Sequence, residues 1–184
     1  MRLIKGILLL LVLAIVLLAV GVVLNRLPLN EPPGMVVRLY TYLNTHVAET
    51  GDGSPFPELR TRRYSLGADP LYAKIKEAIA RLPRWEIVES SDERREIHAV
   101  VTSLIFRFKD DVTIAIVPAP NLRPAVTVRS VSRVGKGDLG ANTRHILDLY
   151  DVLERVGAHG EVERMSSDSL HGVPPERGPS SASA

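Results

Sequence analysis

No cysteine occurs among the 184 residues. That absence excludes disulfides and thiolate metal sites, and it excludes a lipoprotein, which needs a thiol to acylate. The chain has no G-x-x-x-x-G-K-[ST] phosphate loop and no G-x-S-x-G nucleophile elbow. A strong charge of one sign is lacking as well. The formal charge is +2, but Arg2, Lys5 and Arg26 all flank the N-terminal apolar run, and every acid lies at Glu31 or later. Beyond Arg26 the chain carries 20 basic and 21 acidic residues, a net charge of −1. A nucleic-acid partner would call for a basic balance, so none is expected.

What the chain has first is an apolar run. From Gly6 to Leu24 no side chain is charged or strongly polar. As a helix those residues would cover ~28 Å, close to the ~30 Å hydrocarbon core of a bilayer. The run is longer than the apolar region of a cleaved signal peptide, and apolar Val22-Val23-Leu24 follows the small-x-small Ala19-Val20-Gly21 directly. The expectation is a transmembrane helix over residues 6–24 within an anchor of residues 1–26. Arg2 and Lys5 on the short flank favour an N-terminus in the cytoplasm and a domain outside it, single-pass in the inner membrane.

Residues 27–58 read as a juxtamembrane linker. Leu27–Gly34 is proline-rich, and Met35–Val47 has the spacing of a short helix with Leu39, Tyr40, Leu43 and Val47 on one side. An α+β domain follows over residues 59–157. Asp69-Pro70 reads as a helix start, with Leu71, Ile75, Ile79 and Leu82 as its apolar stripe. Strands are expected at Trp85–Glu89, Ile97–Phe108, Asp111–Val117 and Ala125–Ser132. A last helix over Asn142–Val156 has Ile146, Leu149, Leu153 and Val156 inward. Short links favour an antiparallel sheet of about four strands, with the helices packed on one face. Residues 158–184 read as a disordered tail, rich in Ser, Pro and Gly beyond Met165.

Gly135–Gly140, GKGDLG, spells the G-x-G-x-x-G of a dinucleotide turn. That turn needs a second parallel strand after its helix, carrying an acid for the ribose. After Val156 no apolar strand follows, so nucleotide binding is not expected and no cofactor is implied. The glycines would instead turn the last strand into the last helix, with Asp138 or Asn142 capping it.

The spacing of Phe108-Lys109-Asp110-Asp111, then Arg129-Ser130-Val131-Ser132-Arg133-Val134-Gly135, then Asp138-Leu139-Gly140-Ala141-Asn142 resembles the signature of a domain-of-unknown-function family found in bacterial envelope-associated proteins and in plastids. Its pattern is F-x-D-D followed by R-S-x-S-R-x-G-x-x-D-x-G-x-N-x-x-R-I. The resemblance covers roughly Leu59 to Leu153 and implies no established activity. His145 departs from it, standing where arginine is common, and a cysteine-containing segment near the domain start is missing.

The candidate polar cluster is therefore Asp110, Asp111, Arg129, Ser130, Ser132, Arg133, Gly135, Asp138, Gly140 and Asn142. Strand alternation puts Arg129 and Arg133 on one face and Ser130 and Ser132 on the other. The two arginines and the loop amides would grip an anion, or would pair with Asp110, Asp111 or Asp138 and pin the loop. Asp110 and Asp111 point to opposite faces and cannot chelate one metal without a bulge. The serines would need a base, and His145 is the histidine nearest in sequence. No catalytic set is recognisable. The reading is a membrane-anchored, non-enzymatic binding or structural module at the cell envelope. The alternatives are a small-molecule, lipid or anion-binding domain and, behind it, a hydrolase. Partners are the membrane and either an envelope protein or a small anionic ligand.

Overall fold

The computed structural model describes residues 2–104, 107–118 and 123–162. Its helices are α1 (Arg2–Leu24), α2 (Met35–Asn44), α3 (Ala68–Arg81) and α4 (Ala141–Arg155). Its strands are β1 (Val47–Glu49), β2 (Arg62–Tyr64), β3 (Trp85–Ser91), β4 (Glu96–Thr102), β5 (Lys109–Val117), β6 (Ala125–Ser132) and β7 (Gly160–Val162). All pair antiparallel in one mixed α/β fold, in the order β3-β4-β5-β6-β2-β7. β1 lies along the same edge of β6 as β2, at Arg129–Val131, while β2 takes Ala125 and Val126.

Two expectations are corrected. Spanning a bilayer needs about 20 predominantly apolar residues in one helix. Among the described residues no helix is long and apolar enough to cross a membrane, so the expected transmembrane helix over residues 6–24 is not shown. The sheet has seven strands, not about four. The three extra strands have three residues each, too few to display a period of two. They form because β6 and its neighbours offer backbone partners. β7 falls inside the stretch read as tail. The rest of that tail lies outside the described residues.

The core lies between the sheet and α3 and α4. Leu71, Ile75 and Ile79 of α3 and Ile146, Leu149 and Leu153 of α4 meet Ile97, Val112, Ile114, Val126 and Val128 of the sheet, all buried. Each such side chain contributes about 1.5–3 kcal/mol when fully buried. Along β5 and β6, Asp110, Val112, Ile114 and Ile116 share the inner face with Val126, Val128 and Ser130. Two polar residues therefore sit at the inner end of an otherwise apolar layer. α3 starts two residues earlier than its sequence suggests. Gly67 is the N-cap, and Asp69 in the first turn binds Arg95 at 2.7 Å.

The stretch read as a linker is built into the domain. α2 buries Arg38 and Tyr42 and leaves Tyr40 exposed, the reverse of the face its apolar spacing suggested. Arg38 is fully buried. It donates both terminal nitrogens to Glu58, at 3.0 Å for the Nη2–Oε2 pair, and also reaches the Tyr42 hydroxyl and the carbonyls of Glu31 and Pro32. Burying a guanidinium is costly unless it is paired and hydrogen-bonded, and this one is both. The bidentate contact raises the Arg38 pKa further above its ordinary value, against the opposing effect of burial.

Candidate functional site

The ten candidate residues divide between the two faces of the sheet. Arg129, Arg133 and Asp111 are on the outer face. Arg133 grips Asp111 with two hydrogen bonds, 2.8 Å from Nε and 2.6 Å from Nη2, and holds its carboxyl below the ordinary carboxylate pKa. Arg129 lies 3.7 Å from Glu49 of β1. Neither arginine pairs with Asp138 or Asp110, and the two do not converge on the glycine loop. Asp110 and Asp111 do face opposite ways. Asp110 is buried beneath α4, where it takes a 2.9 Å hydrogen bond from His145 Nε2.

Ser130, Ser132, Asp138, Gly140 and Asn142 form a knot on the inner face. Asn142 is its hub and is fully buried. Its amide oxygen accepts from the Ser130 hydroxyl at 2.6 Å. Its amide nitrogen donates to the His46 carbonyl and Ser132 Oγ, both at 2.8 Å, and to Asp138 at 2.7 Å. Asp138 in turn accepts from the backbone amides of Gly140 at 2.8 Å and Asn142 at 3.0 Å. It thus caps α4 from two residues before the N-cap, Gly140, which has a left-handed φ of 81°. Burial raises the Asp138 pKa above its ordinary value, and these donors oppose the shift.

The glycine loop faces a helix end rather than an anion. The amides of Asp138 and Leu139 donate to the Tyr42 carbonyl at 3.1 and 3.0 Å, satisfying an oxygen that the end of α2 leaves unpaired. A Cβ on Gly137 would overlap the Leu43 carbonyl and sit 2.8 Å from that of Tyr42, so this approach requires glycine. Gly135 makes the turn out of β6 with φ 97°. With the Gly140 amide on Asp138, three amides of the loop are already engaged.

A groove of about 750 Å³ opens on the far side of Asp110. It is bounded by one face of α4 from Ala141 to Arg155, the end of α3, the start of β3, the end of β4, and Gly21, Asn25 and Arg26 at the end of α1. Trp85, the single tryptophan, lines it and meets the His145 ring edge-on at 6.1 Å. His145 lines it too, and among the described residues its Nδ1 has no partner. Arg26, Arg81, Arg84, Arg144 and Arg155 border the groove, with Asp110, Asp148 and Asp151 as the acids. The sequence reading did not assemble this surface. Its one available signal was alternation on β5, which put Asp110 on the same face as Val112 and Ile114. No cluster of three metal-binding side chains occurs among the described residues.

The model of a family described as a protein of unknown function, DUF1499, matches residues 36–153. The chain belongs to the DUF1499 family. The match begins in α2, well before Leu59, in keeping with the burial of Arg38 and Tyr42. No curated protein matches the chain.

Proposed function

We propose that this DUF1499 domain is a non-enzymatic binding module and that the groove beside His145 is its binding surface. The observation that carries this reading is the engagement of the signature residues with one another. Ser130 donates its hydrogen bond to the Asn142 amide oxygen and Ser132 accepts from Asn142, so neither serine is poised as a nucleophile. The resemblance to envelope-associated proteins supports a place at the envelope.

A hydrolase has one observation in its favour, the carboxylate-held His145, an arrangement that orients an imidazole as a base. It lacks an activated nucleophile among the described residues. The test uses Trp85, whose emission reports occupancy of the groove. A compound that changes this emission saturably is incubated with the full chain and recovered. Recovery unchanged is the expected result. Conversion that disappears in His145→Gln would replace binding by catalysis.

A further inference from the structure

We infer that the groove selects a phosphoryl-bearing ligand, an inference that rests on the groove being the binding surface. The first ground is how its charges are paired. Two of its three aspartates, Asp148 and Asp151, both contact Arg144, at 2.5 and 3.0 Å. The third, Asp110, is held by His145. Among the described residues no acid lies within ion-pair distance of Arg26, Arg84 or Arg155. Three guanidiniums thus border one groove with no carboxylate to neutralise them, and guanidinium forks match the oxygens of a phosphate.

The second ground is backbone conformation. Arg26 and Arg84 both have left-handed φ angles, 46° and 67°. That region is unfavourable for residues with a Cβ, and such outliers gather at ligand-holding sites. Both of these arginines border the groove. Arg84 is also tethered, its Nε donating to the Thr102 carbonyl at 3.0 Å, which leaves its terminal nitrogens as the available donors. The third ground is the floor. Trp85 supplies an apolar wall, and His145 supplies a ring nitrogen with no partner among the described residues.

The ligand is therefore a phosphate group on a small carrier. Its source is either a soluble phosphate compound or a phospholipid headgroup, and the two share the same recognition chemistry. The experiment titrates the full chain with inorganic pyrophosphate, and separately with phosphatidate vesicles against phosphatidylcholine vesicles, at constant ionic strength. Trp85 emission is the readout. A saturable change is expected with at least one phosphoryl probe. Response to pyrophosphate identifies a soluble ligand, and response to phosphatidate vesicles alone identifies a headgroup. Arg155→Glu is expected to weaken binding roughly tenfold, the loss of one charge-assisted contact. Its side chain is exposed but lies in the last turn of α4, so the melting temperature should fall by no more than a few degrees. Arg26→Glu is the second variant and is expected to act in the same direction. The proposal is overturned if neither probe gives a saturable change, or if both charge reversals leave the affinity unaltered. Saturable binding of a neutral or cationic compound at Trp85, with no phosphoryl response, would overturn the ligand class and leave the binding module standing.

Discussion

Replacing Asp138 with alanine separates a scaffold from a ligand site. Its carboxylate accepts from the Gly140 amide, the Asn142 amide and the Asn142 side chain. The side-chain donor keeps the His46 carbonyl and Ser132 Oγ after truncation. The two backbone amides keep nothing. A buried donor left unsatisfied costs about 1–3 kcal/mol. Two effects reduce the total. Removing the carboxylate relieves the burial that raises its pKa. Asp138 also borders a cavity of about 160 Å³, through which water can reach the freed amides. The net expectation is a loss of about 2–3 kcal/mol, which for a domain of this size lowers Tm by roughly 10 °C. Thermal unfolding followed by circular dichroism at neutral pH measures it. A Tm within about 2 °C of the wild type would refute a structural role, since that shift corresponds to well under 1 kcal/mol.

Further outcomes follow from the same geometry. Because the Asp138 pKa is raised on folding, its protonation stabilises the fold. That contribution is fully present below the unfolded value of about 3.9 and is lost as pH rises through the folded value. The stability gap between wild type and Asp138→Ala should therefore widen on acidification, as read by denaturant unfolding at stepped pH. Asp111 has the opposite sign. The contribution of its pairing with Arg133 is present above about 3.9 and lost as pH falls through its lowered folded value, so Arg133→Ala should narrow the acid sensitivity of the wild type. Glu58→Ala leaves the buried Arg38 guanidinium without its carboxylate and should cost about 3–5 kcal/mol in urea unfolding, a measure of how firmly α2 belongs to the domain. Gly137→Ala drives a methyl group into the carbonyls of Leu43 and Tyr42 and should cost about 1–3 kcal/mol, most directly seen as faster hydrogen exchange at the Asp138 and Leu139 amides.

How far these features were legible follows from where their partners lie in the chain. α3 and α4 each have an apolar stripe within one turn-repeating segment, so Leu71, Ile75 and Ile79, like Ile146, Leu149 and Leu153, could be assigned inward from spacing alone. Alternation likewise separated Arg129 and Arg133 from Ser130 and Ser132. β1, β2 and β7 could not be found that way, because three residues hold no period and their pairing is supplied by strands far along the chain. Arg38 was invisible for a different reason. A charged residue reads as exposed, and here the burial rests on Glu58, 20 positions later. Asn142 shows the limit most clearly. Its role as an N-terminal cap was plausible from position, but its role as hub depends on the His46 carbonyl, a backbone atom that no residue type marks. The groove goes one step further. It exists only where the end of α3, the start of β3, the end of β4 and one face of α4 meet the end of α1, so none of its arginines belongs to a motif. In this chain most of the conspicuous motif builds the scaffold, and the unpaired arginines beside its Asp110 and His145 come from residues that no pattern in the sequence connects.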